Sequence, residues 1–441
     1  MTRMTADRII GRIRAFFSRR VTAIAAAAVV AVAAAVMIVG HGVAFAASRP
    51  AGTAAATPTL TFGTLMTNPD TAAAEAQAGV SNAMLELSWA SSEPQPGVFN
   101  TSYLASVKND MAAFQAAGMH VTLALGLYNP PSWVFSLPDG TYVDQDGNRS
   151  TEANFVYSQA VRVAAAKYLS QVNAVVPLSG FADIRVTSGG DGEMLYPSGG
   201  TYWAFDTAAL TGQGLAAGMT PNPFPNWRPG QSGLTQAQTA QWVSWYVGGL
   251  DNVTKWQIQT LNWLGFGGYY ETVTPGSGTR PDALTDQEAQ NLPDGVTGVG
   301  AVWNLYYAQL WNRNRVMAYQ SSMADQSGGN DGCQASDTAL PLTSGTMDSW
   351  SATRWIARIG HQYGLLVGGE NPGYGMPASL DSFYTNTTST GMMAVALNQA
   401  RTCGFSVFYW AHDYRLYDGT VPFAAYARAI SSSPTITGTH K

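Results

Sequence analysis

Two glutamates stand out by what precedes them. Asp183-Ile184-Arg185-Val186-Thr187 reads as a short strand and runs into Ser188-Gly189-Gly190-Asp191-Gly192-Glu193. Leu365-Leu366-Val367-Gly368-Gly369 likewise delivers Glu370. Glycine lets the backbone approach a bound molecule closely, so a carboxyl that follows it is well placed for chemistry. Two such groups facing one another can divide the labour, one as a protonated acid and one as an ionised base or nucleophile. Glu93, Asp191, Glu271 and Asp413 are the rival carboxylates. Glu271, which ends a strand in Tyr269-Tyr270-Glu271-Thr272, is the strongest of them, and its plainer role is to hold another active-site side chain.

The elements that must position this pair repeat along the chain. Apolar runs near 60–65, 82–88, 119–127, 180–187, 266–274, 315–321, 364–369 and 404–410 predict strands. Helical stretches are predicted near 71–79, 104–117, 152–175, 236–264, 301–312, 348–363 and 389–402. This alternation predicts an α/β fold, a (β/α)8 TIM barrel over 58–430. A dinucleotide fold is disfavoured, since Phe62-Gly63-Thr64 opens no glycine-rich phosphate turn. The long insertions at 195–235, 275–300 and 325–347 each follow a strand, so they belong to the C-terminal face, where barrels keep their sites. Strands four and seven then bring Glu193 and Glu370 to one mouth. Two carboxylates flanking one bond are the equipment for glycoside hydrolysis.

The ends of the chain read differently. Basic residues up to Arg20, an Ala/Val run over 21–39 and Ala44-Phe45-Ala46 form a secretory signal over 1–46. The alternative is an uncleaved anchor that leaves the barrel outside the cell. Residues 47–57 read as a flexible linker and 431–441 as a disordered tail. The whole chain carries 23 Lys and Arg against 28 Asp and Glu, and the signal holds six of the Arg and one Asp. An exported, acidic protein with no basic face is not expected to bind nucleic acid, nor a membrane once the signal is gone. With two Cys and no ligand spacing among five His, no metal or cofactor is expected. Asp144-Gln145-Asp146-Gly147-Asn148 is read as a turn between short strands, because its glycine is misplaced for a calcium loop. Export allows Cys333 and Cys403 to pair, whereas topology puts one above strand six and the other below strand eight.

Thirteen Trp and 20 Tyr suit sugars, whose C–H faces stack on flat rings. Trp133, Tyr196, Trp203, Trp227, Trp303 and Tyr374 fall on loops of the active face, and about half are expected to pack those loops. Asn129 and Gln320, which end strands three and six, are candidates for binding hydroxyls. Trp410 ends strand eight, and its plainer role is that of a capping core residue.

Here the residues become family-specific. Trp89, Glu93-Pro94, Gly97 and Phe99 after strand two resemble a segment of clan A glycoside hydrolases. Pro130-Pro131-Ser132-Trp133, then Val143-Asp144 through Arg149, is similar to family 42 β-galactosidases. The resemblance covers about residues 58–195. It implies a (β/α)8 barrel that cleaves an oligosaccharide, polysaccharide or simple glycoside. It also implies that Glu193 is the acid/base and Glu370 the nucleophile, and that Trp410 floors the sugar. Taken with the positions above, Trp89, Asn129, Trp133, Tyr196, Glu271, Gln320 and Trp410 are the residues expected around the substrate. There are departures. Clan A has Asn where this chain has Gly192. Gly192-Glu193-Met194-Leu195-Tyr196-Pro197-Ser198 and Gly369-Glu370-Asn371 instead resemble the catalytic segments of family 14 β-amylases, which invert. The expectation is a secreted, retaining, β-galactosidase-like enzyme. The alternatives are an inverting β-amylase-like hydrolase and a carbohydrate-binding barrel without activity.

Overall fold

The computed structural model describes residues 59–431, except 312 and 314. The expected signal, linker and nearly all of the expected tail lie outside the described residues. Eight parallel strands form a closed barrel: β1 (Thr61–Thr64), β2 (Asn82–Glu86), β3 (His120–Ala124), β4 (Asp183–Val186), β5 (Tyr269–Thr274), β6 (Val316–Gln320), β7 (Leu366–Glu370) and β8 (Val407–Trp410). Each pairs with its neighbours in chain order, and β1 closes onto β8. The predicted (β/α)8 architecture is borne out.

Side chains alternate across each strand, which divides the core in two. Outward residues such as Ile184, Val186, Val367 and Phe408 join the large apolar layer under the helices. Inward ones include Leu65, Met84, Ala124, Val273, Met317, Tyr319, Val407 and Tyr409. Gly63 shows why an inward position can require glycine: a Cβ there would stand 2.5 Å from the Tyr409 ring.

The predicted helix over 152–175 is shorter. It runs Gln159–Val175, capped by the Ser158 side chain, and Arg149–Ala153 instead pairs with Thr141–Val143 as an antiparallel hairpin. The expected turn joins the two strands. Asp144 Oδ1 accepts the Asp146 and Asn148 N–H groups at 3.0 and 2.8 Å, and its Oδ2 accepts Asn148 Nδ2 at 3.0 Å. A carboxylate that accepts three hydrogen bonds from its own loop is a turn-former.

Cys333 and Cys403 are joined, with Cα atoms 4.8 Å apart. The loop after β6 reaches Cys403 by descending along the helix Ala352–Gln362. Arg354 on that helix holds Asp331 at 2.6 Å and Asp337 at 2.5 Å. Arg358 donates to the carbonyls of Asp337 and Leu340, both at 2.9 Å. The disulfide closes a 70-residue loop, for which chain entropy gives at most about 4 kcal/mol. Reducing it should lower the urea midpoint by a corresponding amount. Coincident unfolding curves with and without reductant would contradict this.

Candidate active site

Glu370, at the end of β7, points into the barrel. Its Oε2 accepts the Tyr319 hydroxyl at 2.5 Å and lies 2.8 Å from Arg185 Nη2. Arg185, inward on β4, also donates from Nη2 to the Tyr319 hydroxyl, and from Nε to Glu271 Oε2 at 2.8 Å. The guanidinium lies 4.4 Å over the Tyr319 ring and 5.6 Å from the Tyr409 ring centre. Tyr409 in turn shares a 2.7 Å hydrogen bond with Thr122 of β3. One arginine therefore ties β5 and β7 to β4 through the middle of the barrel.

Charge is scarce on the positive side of this network. Burial opposes the charge on Arg185, but Glu370, Tyr319 and Glu271 outweigh it and hold the guanidinium protonated well above its usual range. Burial pushes Glu271 up to about 8, although Arg185 pulls it down. Asp183, one turn of the pleat below Arg185, is pushed up to about 6 by burial. Glu86, at the end of β2, is raised chiefly by burial and further by Glu370, with Arg185 opposing.

Elsewhere burial takes Asp413 to about 8, Asp206 to about 7 and Asp251 to about 6. A carboxyl raised in the folded state binds its proton more tightly there than in the unfolded chain. Its contribution is complete below the unfolded value near 4 and is lost as pH rises through the folded value. His361, which is exposed, and half-buried His412 are lowered by desolvation of the charged ring, so they act in the opposite sense, below pH 6.5. The unfolding free energy should therefore be highest near pH 5 and fall towards pH 8.5, by an amount on the order of a few kcal/mol, and the unfolding midpoint should follow it. A midpoint that climbs over that window would contradict the assignment.

Glu193 sits at the end of a turn after β4. Gly192 has φ +73°, a conformation that an L-residue adopts only with strain. Ser188 and Gly189 N–H groups both donate to the Glu193 carbonyl at 3.0 Å. The Glu193 carboxyl accepts the hydroxyl of Ser321, which follows β6 and continues its ladder through Thr274. Tyr319 in β6 and Ser321, the residue just past its end, are two residues apart and so continue one inward-facing register. Both glutamates are thus fastened to β6, one through each residue.

A cavity of 410 Å³ opens at the ends of β2 and β3, lined by Met66, Glu86, Ser88, Tyr103, Tyr128 and Asn129 among others. Tyr128 stands against Gly192, where a Cβ would lie 3.5 Å from its ring. Two of its lining residues therefore adjoin the glutamates: Glu86 feels the Glu370 charge, and Tyr128 touches the turn that carries Glu193.

The remaining sequence candidates divide by strand face. Asn129 is exposed and lines the cavity. Trp133 is half-buried and donates to the Glu93 carbonyl at 3.2 Å. Trp89 is fully buried, stacked on Tyr168 and bonded to Glu93 Oε2 at 2.9 Å. Glu93 also accepts the Gly97 N–H at 2.8 Å, so the Trp89–Gly97 segment shapes a loop rather than offering an edge to a ligand. Tyr196 is enclosed, stacked 4.0 Å from Tyr246, and with Trp203, Trp227 and Trp303 it packs the long insertions.

Three candidates move. Glu271 has no solvent exposure and meets Arg185, so it holds a side chain and does not reach a substrate. Trp410 and Gln320 are outward on β8 and β6, because Tyr409 and Tyr319 before them point in. Trp410 lies under the helices beside Tyr384 and Tyr426, and Gln320 bonds the Ser322 carbonyl at 3.3 Å. The inward neighbours that sequence reasoning passed over are Arg185, Tyr319, Ser321 and Tyr409. For Tyr319, Ser321 and Tyr409 the signal was parity, since each is one residue off the position chosen.

A family model of glycoside hydrolase family 42, described as beta-galactosidase, matches residues 70–178. No curated protein sequence matches the chain. Among solved structures, the catalytic domain of beta-amylase from Paenibacillus polymyxa is similar at TM-score 0.54 and 13% identity, covering 86% of this chain and 100% of that one. Beta-galactosidase from the psychrophilic Marinomonas ef1 is similar at 0.52 and 13%, over 84% of this chain and 59% of its own. A beta-galactosidase from the Antarctic haloarchaeon Halorubrum lacusprofundi gives 0.52 and 14%, over 84% and 57%. The chain thus spans less than two thirds of either β-galactosidase. At such identities these likenesses concern the fold alone. The closed barrel and the matched segment define the class, a (β/α)8 glycoside hydrolase. Within that class, residues 70–178 resemble family 42.

Proposed function

We propose that the chain is an exported hydrolase of O-glycosidic bonds, with Glu193 as acid/base and Glu370 as nucleophile. The observation that carries this reading is the fastening of both glutamates at the end of β6, with a cavity of ligand size at the ends of β2 and β3. Tyr319 and Arg185 both engage Glu370 Oε2. This leaves Oε1 to approach the anomeric carbon. Glu193 gives its proton to the departing oxygen, and the same group then takes a proton from the incoming water. Glu86, Tyr128 and Asn129 offer the sugar acceptors, a ring face and an amide. Export rests on the 1–46 segment. Among the described residues no helix is long and apolar enough to cross a membrane.

The reading favours retention and a β-galactoside-like substrate, because the family 42 match covers the loops of strands two and three. Inversion is the second reading, favoured by the β-amylase-like residues around both glutamates. Aryl glycosides with good and poor leaving groups test the roles. Glu193→Ala should spare a dinitrophenyl glycoside and cripple a simple phenyl or alkyl one. Equal losses would refute the division of labour. Proton NMR of the first-formed anomer decides the stereochemistry. An inactive wild type that still binds sugar would mean a binding barrel.

A further inference from the structure

We propose that Glu152 is a positioning residue for Glu193, acting through Gly190; this rests on the reading of Glu193 as proton donor. Glu152 lies in the hairpin strand Arg149–Ala153, far from Glu193 in sequence. Its Oε2 accepts the Gly190 N–H at 2.8 Å. The carbonyl of that same glycine accepts the Glu193 N–H at 3.3 Å. Gly190 is therefore held by one glutamate and holds the main chain of the other.

The turn has little slack. A Cβ on Gly190 would lie 3.1 Å from Glu152 Oε1. One on Gly189 would lie 3.2 Å from Glu152 Oε2 and 2.5 Å from the Leu195 carbonyl oxygen. The carboxylate is thus seated against bare backbone, which only glycine leaves open. Its own support is stiff. Ser150 Oγ accepts the Tyr142 N–H at 3.1 Å and the Glu152 N–H at 3.3 Å, and donates to the Glu152 carbonyl at 3.1 Å. Asp144 closes the far end of the hairpin. A carboxylate accepting a backbone N–H makes a charge-assisted bond, stronger than one between neutral groups. The hairpin then acts as a strut whose tip sets the aim of the proton donor. Misplacing a reacting group by about 1 Å costs on the order of 100-fold in rate.

The test compares two substrates with one glycone, a dinitrophenyl glycoside that needs no proton and a phenyl glycoside that does. Glu152→Ala should lower kcat on the phenyl glycoside by roughly 10- to 100-fold. Its KM, and its rate on the dinitrophenyl glycoside, should stay near wild type. Glu152→Gln, which keeps an acceptor oxygen in place, should stay near wild type on both. If the alanine variant does not fold, Glu152→Asp decides, since its carboxylate falls one methylene short of Gly190; the same leaving-group-dependent loss is expected. Equal losses on both substrates, or none in a folded variant, would overturn the role. Glu193→Ala measured alongside separates the two readings. If it lacks the leaving-group dependence, the donor assignment fails and this role with it. If it shows the dependence while the Glu152 variants do not, only Glu152 is misassigned.

Discussion

Glu370→Gln is expected to remove essentially all turnover, by roughly 1,000-fold or more, on activated and unactivated glycosides alike. Glutamine keeps the volume of the side chain, and its amide oxygen can still accept from Tyr319. It cannot attack a carbon or take a proton from water, so no choice of leaving group restores the rate. This insensitivity separates Glu370 from Glu193, whose loss a good leaving group should mask. Near-UV circular dichroism would confirm an intact barrel, and a variant retaining a tenth of wild-type activity would exclude Glu370 as nucleophile or base.

The second large effect should follow from Arg185→Met. Removing one partner of a buried ion pair typically costs about 3–5 kcal/mol, because the remaining charge has no water to turn to. Here two carboxyls lose their cation together, Glu271 at 2.8 Å and Glu370 at 2.8 Å. The destabilisation should be greatest near pH 8 and shrink towards pH 5, where Glu271, already raised to about 8 by burial, is protonated. Activity should fall at every pH, since Glu370 loses one of the donors that orient it. The double variant Arg185→Met/Glu271→Leu should recover much of the stability and none of the activity, because apolar pairs of similar volume replace buried ion pairs at little cost. Urea unfolding at the two pH values, beside a turnover assay, checks both halves. Unchanged stability of the single variant would mean that the arginine is not needed to neutralise the barrel centre.

The barrel was legible because each strand is a short apolar run separated from the next by a helical stretch, a pattern carried by local residues alone. Glu193 and Glu370 were legible as candidates because glycines announce them. What failed was parity. A strand reverses its facing at each residue, so a boundary known only to within one residue cannot say which of Tyr409 and Trp410 looks inward. The choice fell on the larger ring, and the barrel turned that ring towards the helices. The Arg185 network was hidden for a different reason. Arg185 and Glu271 are 86 residues apart, and only closure of the sheet brings them together. An arginine inside Asp183-Ile184-Arg185-Val186 reads locally as a solvent-facing charge. The turn at 144–148 was legible with short strands around it, but the end of the second strand, Glu152 and Ala153, was taken for helix because Ser150-Thr151-Glu152 has no apolar rhythm of its own.

The attachment of both glutamates to β6 bears on how this barrel could be re-engineered. The end of β7 leans on the segment that follows the same strand, through the 2.7 Å bond from the Met323 N–H to the Glu370 carbonyl. β6 is therefore a common datum, and a breathing motion that shifts it carries both acids along. The gap between them is then governed by the reach of Tyr319 and Ser321, not by the girth of the barrel. Lengthening or shortening those two side chains is a dial for that gap, and it can be turned while the loops that choose the sugar stay untouched.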